Sequence, residues 1–575
     1  MSDPPEVQGV STRHLGRIYF VLEFLKKAKI AETIDRCVPD NSYCVYVEGK
    51  GFICFTIGHI FEIMMLNRLY NLKSPIYHIG EWCENTAIPE IYGIPSILLN
   101  DDRIGRFLDK IFPYLATIDS QITMNMIKEF GIEVSQIHFD PSSFKVYGEY
   151  LPTAGETSPI NITYGRDGQG RRDDKLVRFG IAITEDCDFP LIAKGYSGNA
   201  SDSEMHPEFL GELREMLGTS DFLFISDSKL DSKAVIGDIF FHKGFFLCPG
   251  VFSVDMQKAF IEKFSKQEKF NRLKYVSQSE KKKAKNKRNY FEAFEKMKKI
   301  VVIGPDGKKR TYQYRLIFVY SSMKAKTEAK TREKGITKVR KELNLLASRL
   351  NKRNYETHQE ITAKLGEIQK RSASKFFDIK LCEENGKFSI SFEINEEKLE
   401  NAKTLEGVYI LKTNLPKKKY STDDVMERYK KQGRIESRIA DIKGPLQVAP
   451  IYLKKEERIL SLFTIIVQAL KIYTLIEREV HQAVQEQGEA IPILPENRRS
   501  ERPKASSILR IFDDHIVTLV TITYQDGSCS THLTPLSEKQ KMLYEFIKRR
   551  PPDRRSFSRK IGIYKSRTRS TVFTF

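Results

Sequence analysis

Three acidic residues occupy positions in this sequence that suit the binding of divalent metal ions. Asp140 follows the apolar run QIHF, Asp227 follows the apolar run FLFIS, and each run predicts a buried strand. Open α/β sheets place their active sites where such strands end. Glu436 lies in a later stretch whose apolar residues have helical spacing. Two aspartates at strand ends and a glutamate on a helix could together bind two cations, an arrangement that suits in-line displacement at phosphorus.

The helix around Glu436 is predicted from the stretch YKKQGRIESRIADIK, residues 429–443, which a Gly-Pro pair terminates. Tyr429 precedes Glu436 by seven residues and Lys443 follows it by seven. On one continuous helix these three side chains share a face, and Gln432 lies on that face too. A phenol, a carboxylate and an ammonium on one stripe could hold a metal ion and a phosphate together. Taken alone, the stretch is better described as a solvated, charge-paired helix, and the two aspartates change that weighting.

Intervals of two, three and six residues separate Tyr429, Gln432, Glu436 and Lys443. This spacing resembles the tyrosine, arginine, glutamate and lysine signature of a family of DDE-type insertion-sequence transposases, with Gln432 in place of the arginine. By resemblance, the tyrosine, the glutamine and the lysine would contact DNA phosphates beside the scissile bond. Gln432 carries no charge, so a charge-assisted bidentate contact to phosphate is lost. The resemblance covers roughly residues 15–545.

Further stretches resemble motifs of the same family. DPSSFKVYGEY begins at Asp140 and resembles the family's Asp-Thr-Thr-Ser pattern, with Pro141 and Ser142 as departures. GYSGNASD, residues 195–202, resembles a Gly-Asn-Thr-Ser-Asp stretch. LNDDRIGRFLDKIF, residues 99–112, resembles an N-terminal signature of one branch. Together these motifs are specific for the family, although no single one of them is strong evidence.

The resemblance implies the chemistry of the site. Asp140, Asp227 and Glu436 would be the catalytic residues and would bind two Mg²⁺ ions, for which Mn²⁺ could substitute. One ion would activate a water or a 3′-hydroxyl, and the other would stabilise the leaving oxygen. The implied reactions are cleavage of DNA strands at the ends of the element and strand transfer into target DNA. The implied partners are double-stranded DNA, as terminal inverted repeats and as target, and a second copy of the chain in the DNA complex.

The patterns predict an α/β ribonuclease H-like core that an insertion interrupts. Strands are predicted at QIHFD, FKVYG and VRFGIAIT, and alternating helices and strands follow them, which fits a mixed sheet with helices on its faces. Asp227 and Glu436 are 209 residues apart, far more than a compact core of this type needs. The intervening residues predict strands, two packed helices and a hairpin with Asn385-Gly386 at its turn. A mixed β and helical insertion at this point resembles the β-rich insertion of the family.

The predicted organisation has five parts. The N-terminal part could bind the DNA end or serve only as a structural cap, and no helix-turn-helix pattern decides between the two. The basic C-terminal tail is expected to be disordered until it meets a phosphate backbone. The parts are a helical N-terminal domain (1–130), the first part of the core (131–251), the insertion (252–415), the second part of the core with the Glu436 helix (416–486), and a linker, a small C-terminal element and the basic tail (487–575).

The composition favours a polyanionic partner. The formal net charge is +19 at pH 7 and the isoelectric point is about 9.3, which suits nucleic acid or a membrane surface. A membrane-spanning helix is not expected, because Gln468 and Lys471 interrupt the apolar run at residues 459–476. The sequence has no signal-peptide pattern and no Walker loop. We therefore expect a soluble intracellular protein that uses no nucleotide cofactor. The family resemblance implies the cytoplasm of a prokaryotic cell, with association with the nucleoid when the protein is bound to DNA.

The eight cysteines are predicted to be reduced. None forms a Cys-x-x-Cys pair, and most lie in apolar runs. They are expected to be core cysteines rather than a disulfide framework or a zinc site.

Two other functions stay open on the sequence. The chain could be a catalytically impaired transposase copy that only binds DNA, which Gln432 favours and the three acids oppose. It could also be a plain metal-dependent nuclease without strand transfer. His138, two residues before Asp140, is expected to be a satisfied core histidine rather than a base or a ligand. Asn199 and Asp202 are expected to form a structural turn.

Overall fold

The structure is a computed structural model in which residues 6–70, 78–148, 150, 158–165, 174–304, 307–443 and 453–548 are described. Two predicted features fall outside these residues: the Gly444-Pro445 helix stop and the basic tail beyond Lys548. The chain divides into two compact units, one of residues 1–224 and 432–575 and one of residues 225–431. Both units mix helices and strands, so the protein is of the mixed α/β class that the sequence predicted.

The helices are numbered in chain order. Those of the first unit are α1 (Ile18–Lys27), α2 (Ile30–Cys37), α3 (Ile57–Tyr70), α4 (Ile79–Glu84), α5 (Ile88–Tyr92), α6 (Asp101–Ile111), α7 (Leu115–Phe130), α8 (Asp202–Leu217), α17 (Gly433–Lys443), α18 (Glu456–Gln487), α19 (Ala505–Asp514) and α20 (Glu538–Phe546). Those of the second unit are α9 (Lys233–Phe241), α10 (Val254–Ala259), α11 (Ser265–Gln267), α12 (Gln278–Lys281), α13 (Ser322–Arg349), α14 (His358–Gln369), α15 (Glu396–Leu405) and α16 (Thr422–Lys430).

The strands are numbered in the same way. Those of the first unit are β1 (Val7–His14), β2 (Ser42–Val47), β3 (Gly51–Thr56), β4 (Gln136–Lys145), β5 (Thr163–Tyr164), β6 (Lys175–Thr184), β7 (Pro190–Ser197), β8 (Leu223–Ile225, in which the unit ends), β16 (Thr518–Tyr524) and β17 (Cys529–Leu533). Those of the second unit are β9 (Phe245–Gly250), β10 (Asn271–Arg272), β11 (Phe291–Ile303), β12 (Lys309–Ser321), β13 (Phe377–Glu384), β14 (Lys387–Ile394) and β15 (Val408–Thr413).

The main sheet of the first unit has the strand order β8-β4-β6-β5, and β7 also pairs with β6. A second sheet joins the two ends of the chain, because β1 pairs antiparallel with β16, which pairs with β17. The predicted helical N-terminal region therefore also contains strands: β1 belongs to this second sheet, and β2 and β3 form a hairpin. The part from residue 487 onward was predicted to begin with a linker, but Ile491 and Ile493 in it are both buried.

Helix α18 forms the centre of the first unit. By length and apolar composition it could cross a membrane, but 89% of its most apolar window is buried inside the protein. Lys471 is fully buried on this helix, and its ammonium lies 2.5 Å from the Asp119 carboxylate and 2.6 Å from the Thr123 hydroxyl. Burial lowers the pKa of Lys471, and the nearby Asp119 carboxylate opposes that shift. The helix is therefore a core helix whose buried ammonium is paired inside the protein.

The second unit contains a sheet with the strand order β10-β11-β12-β15-β9 and a separate hairpin of β13 and β14. Asn385 and Gly386 have φ values of 51° and 71° at the tip of that hairpin, as an Asn-Gly turn requires. The two helices predicted between β12 and β13 are α13 and α14. Their apolar rows pack in one core cluster, which includes Leu343 on α13 and Ile361 on α14. The predicted helix pair and hairpin are confirmed.

Strand β4 differs from its prediction. The runs QIHFD and FKVYG were predicted as separate strands, but β4 continues from the first run into Phe144 and Lys145 of the second, in unbroken antiparallel register with β6. Pro141 lies opposite Gly180, and Ser142 lies opposite Phe179. Polar residues are accommodated here because the four residues that follow Phe139 are half-buried, between the buried stretch Gln136 to Phe139 and the buried Phe144. Asp140 thus lies within β4, at the start of its half-buried stretch, and not at the end of a strand.

The prediction for the cysteines is wrong for one pair. Cys44 on β2 and Cys54 on β3 lie directly opposite each other in the hairpin, with their Cα atoms 4.2 Å apart, and form a disulfide. No local pattern indicates this pairing, because it depends on the register of the hairpin. Of the remaining six, Cys83 and Cys248 are buried, whereas Cys382 and Cys529 are exposed.

The buried pair on α18 gives a prediction about stability. Asp119→Asn leaves the Lys471 ammonium buried without a counter-charge, so the free energy of unfolding should fall by about 3–5 kcal/mol. Urea unfolding measures this loss, with fluorescence of Trp82 as the probe, because the chain has 1 tryptophan and that residue is 7% exposed.

Two further variants control this experiment. Asp119→Leu combined with Lys471→Met removes both charges and should recover most of the loss. Asp102→Asn breaks an exposed pair with Arg106 and should cost at most about 1 kcal/mol. A loss in Asp119→Asn no larger than that of Asp102→Asn would contradict the buried ion pair.

Candidate active site

Two elements of the first unit, β4 and α17, bring four of the predicted residues into one region. Lys443 on α17 donates a hydrogen bond to the Ser142 hydroxyl at 2.8 Å, and its ammonium lies 4.9 Å from the centre of the Phe144 ring. Gln432, which immediately precedes α17, lies 2.9 Å from Nδ1 of His138. The two ends of the helix are thus fixed to two points along the same strand.

These contacts define which way Asp140 points. Alternate residues of a strand project from the same face, so His138, Asp140 and Ser142 share one face of β4. Because Gln432 contacts the first of these and Lys443 the third, Asp140 lies between them on the face that α17 covers. The carboxylate is close enough to Lys443 to raise the pKa of its ammonium, against a larger lowering by burial.

Glu436 is directed to the same region by its place on the helix. The positions of Gln432, Glu436 and Lys443 fall within about 40° around the helix axis, at the border between the buried and the exposed face. The carboxylate of Glu436 is exposed, whereas its neighbours Ile435 and Ile439 are buried. The structure therefore brings Asp140 and Glu436 to one helix–strand interface, with Lys443 beside them.

A buried ionic network holds the opposite side of α17. Arg438 is 6% exposed and lies two residues after Glu436, which places it about 200° around the helix. Its guanidinium donates to Glu477 at 2.6 Å, to Asp441 at 3.1 Å and to the carbonyl of Cys187 at 2.9 Å. This network was not predicted from the sequence. The only signal was the charged side chains of Arg438 and Glu477 within otherwise apolar helix faces.

The single helix predicted over residues 429–443 is wrong. Helix α16 ends at Lys430 and α17 begins at Gly433, so Tyr429 does not share a helix face with Glu436. Glycine disfavours helix continuation by about 1 kcal/mol. The Gln432 amide also donates to the Phe139 carbonyl at 3.3 Å, a tertiary contact that competes with helix continuation.

Tyr429 and Asp227 belong to the second unit. The Tyr429 ring lies 6.2 Å from that of Tyr409, and burial raises the pKa of its phenol. Asp227 follows β8 as predicted, and its carboxylate caps a short 3₁₀ helix by accepting a hydrogen bond from the backbone N–H of Lys229 at 3.0 Å. These two predicted residues are thus placed in the second unit, and the other four in the first.

Two minor predictions can be compared with the structure. His138 is fully buried and lies 3.1 Å from the Gln136 amide in addition to its contact with Gln432, which agrees with a satisfied core histidine. Asn199 lies in the turn before α8, whose N-terminus has a capping box formed by Ser201 and Glu204. That position agrees with a structural turn.

The donor set suits a hard cation. Carboxylate oxygens are the ligands that Mg²⁺ and Mn²⁺ prefer. Asp140 and Glu436 place two carboxylates at one interface. Within the described parts of the chain, no three His, Cys, Asp or Glu side chains are grouped closely enough to hold a metal ion. The geometry therefore supplies ligands of the right chemistry without a complete three-ligand cluster.

Comparison with known proteins identifies the family. Residues 181–470 match the family model described as a transposase DDE domain, and residues 10–118 match one described as a domain of unknown function, DUF4277. Because the transposase match spans half of the 575 residues, the chain belongs to the DDE transposase family. The family predicted from the sequence is confirmed. Asp227 and Glu436 lie inside the matched range, and Asp140 lies before it.

One solved structure similar to the chain is a piggyBac transposase synaptic complex with hairpin DNA, determined by cryo-EM. The sequence identity is 7%, the TM-score is 0.34, and the alignment covers 95% of this chain and 84% of that one. No curated protein matches the chain.

The contacts of Gln432 give a prediction about the family's arginine position. Arginine has five donors and no acceptor, so Gln432→Arg cannot accept a hydrogen bond from His138. The free energy of unfolding should fall by about 1–3 kcal/mol, measured by urea unfolding. Gln432→Glu keeps an acceptor and tests whether the acceptor is the feature that matters. An arginine variant as stable as the native chain would show that this hydrogen bond contributes nothing.

Proposed function

We propose that this DDE transposase binds the ends of an insertion sequence and catalyses DNA strand cleavage and strand transfer by two-metal-ion phosphoryl transfer. The observation that carries the proposal is the placement of Asp140 and Glu436 at the interface of β4 and α17, with Lys443 beside them. Family membership supports the same class of reaction. In this proposal the core is ribonuclease H-like, residues 252–415 are its insertion, and two copies act together on DNA.

The proposed metal ligands are Asp140, Asp227 and Glu436. Two Mg²⁺ ions bound by these carboxylates would activate the attacking oxygen and stabilise the leaving oxygen. The exposed position of Glu436 leaves its carboxylate free to meet a metal ion and a DNA strand. Asp140 is half-buried, so the surrounding protein limits its motion and its hydration.

Lys443 is the proposed phosphate contact of the first unit. Its ammonium is held by the Ser142 hydroxyl and by the Phe144 ring, so its position is fixed before DNA binds. A fixed ammonium beside the acids would orient the phosphate and offset the negative charge that DNA brings. Tyr429 in the second unit is the proposed second phosphate contact, and the raised pKa of its phenol keeps it a hydrogen-bond donor.

A second candidate function is a transposase copy that binds DNA without cutting it. Gln432 is the observation that favours it, since this position has no positive charge and its amide is engaged with His138 and Phe139. Both candidates predict DNA binding, and only the first predicts metal-dependent cleavage.

Glu436→Gln separates the two functions. The substitution removes a metal ligand from an exposed position, so the fold and the DNA affinity should be unchanged. Mg²⁺-dependent cleavage at the element's end junction should fall at least about a hundredfold, because metal stabilisation of the transition state is worth several kcal/mol. The assay uses labelled DNA that carries the element's own ends, with and without EDTA.

Glu489→Gln is the matched control, because this glutamate is also exposed and, among the residues that the structure describes, pairs only with Arg499 at 3.7 Å. Its cleavage rate should equal that of the native chain. Binding without cleavage by the native chain would establish the second candidate. Cleavage that survives Glu436→Gln would place the active site elsewhere.

A further inference from the structure

The second unit contains an ordered loop with a high density of positive charge. Residues 281–288, the basic loop, have the sequence KKKAKNKR. Lys281, Lys282, Lys285 and Lys287 are all exposed. Within the described part of the chain, none of these four lysines is paired with an acidic side chain. The loop therefore presents four uncompensated positive charges within seven residues.

The conformation of the basic loop is fixed by one buried carboxylate. Glu280 is 7% exposed and accepts hydrogen bonds from Lys283 at 2.7 Å, from the backbone N–H of Asn289 at 2.9 Å and from the Asn289 amide at 3.1 Å. These contacts lower the pKa of Glu280 to about 2. Arg288 closes the loop by donating to the carbonyls of Lys281 and Lys283, both at 2.9 Å. The lysines are therefore displayed on an ordered loop rather than on a free chain.

A second set of lysines continues from this loop along α13. Lys326 contacts the Asn289 side chain at 3.3 Å, which places the start of α13 beside the basic loop. Lys326, Lys330, Lys334 and Lys338, the lysine row, follow one another at intervals of four residues and are all exposed. Like charges at intervals of four residues destabilise a helix. Among the described residues, no acidic side chain forms an ion pair with any of these four lysines. Glu333 is an acid that borders the row.

We propose that the basic loop and the lysine row form one surface that binds the phosphate backbone of duplex DNA. A polyanion would relieve the repulsion within the row, and the loop needs no reordering to bind it. The row is about 18 Å long, which corresponds to about half a turn of duplex DNA. Neither segment contains an aromatic residue on which bases could stack, which disfavours single-stranded nucleic acid. The proposal rests on the proposed function, from which it takes DNA as the partner, and adds a surface outside the candidate active site.

Two variants of the full chain test this surface independently. The loop variant replaces Lys281, Lys282, Lys285 and Lys287 with glutamine, and the row variant does the same to the four lysines of the row. Fluorescence anisotropy measures affinity for a duplex DNA of arbitrary sequence from 50 to 200 mM salt. Each variant should bind at least about tenfold more weakly, and its slope of log affinity against log salt should be shallower by about 2 to 4.

The matched control removes the same charge from ion-paired lysines. Lys364, Lys398, Lys403 and Lys541 each lie 2.5–3.0 Å from an acid, and their replacement with glutamine should leave affinity and slope unchanged. Circular dichroism verifies that all variants are folded. The proposal is overturned if the loop variant and the row variant both keep the affinity and the salt slope of the unmodified chain. It is also overturned if the unmodified chain binds an RNA duplex more tightly than a DNA duplex of equal length.

Cleavage assays on the same proteins separate this proposal from the proposed function. If the native chain cuts DNA but the loop and row variants bind like the native chain, only the surface is wrong. If the native chain never cuts DNA but both variants lose affinity, the surface stands and the catalytic function fails.

Discussion

The burial of Arg438 is the constraint on which the candidate active site depends. Moving a guanidinium out of water costs several kcal/mol unless it is paired, and here Glu477, Asp441 and a backbone carbonyl accept hydrogen bonds from its two terminal nitrogens. Glu477 in turn accepts a hydrogen bond from the backbone N–H of Ala505 at 2.8 Å, so α19 is tied to the same network. A rotation of α17 that turned Glu436 away from β4 would leave two buried charges unpaired. The direction of the proposed metal ligand thus follows from an ion pair on the other side of its helix.

The break between α16 and α17 changes how the family signature must be understood. On a continuous helix, the tyrosine and the glutamate would be held at a fixed separation by local geometry alone. Here Tyr429 belongs to the second unit, whereas Glu436 and Lys443 belong to the first. The same division separates Asp227 from Asp140. The spacing of the signature in sequence is therefore not a spacing along one helix face, and each unit contributes part of the predicted set.

Sequence patterns located the elements whose signals are local. The apolar repeats of α13 and α14, the Asn385-Gly386 turn and the long core helix α18 all follow from residues close together in the chain. The predictions were wrong where contacts between residues distant in the sequence determine the local structure. Strand β1 pairs Val10 with Ile522, and no local pattern carries that information. The length of β4 depends on its unbroken register with β6, and the helix break depends on the contact of Gln432 with Phe139. The net charge favoured a polyanionic partner. The buried ion pairs were not predicted, because each charged side chain was assumed to be in contact with solvent.

Gln432 differs from the family's arginine, and its surroundings fit the difference. Because its Oε1 lies 2.9 Å from His138 Nδ1, the hydrogen on the imidazole belongs on Nδ1, which donates to Gln432. His138 Nε2 is then an acceptor, and the Gln136 amide lies 3.1 Å away to donate to it. Every polar atom of the buried imidazole is satisfied by this one tautomer. An arginine at position 432 would require the opposite tautomer, and the Gln136 amide would then have to turn over so that its oxygen accepts from Nε2. The two glutamines and the histidine therefore form one interdependent set, so Gln432 is better explained as a structural adaptation of this site than as a simple loss of charge.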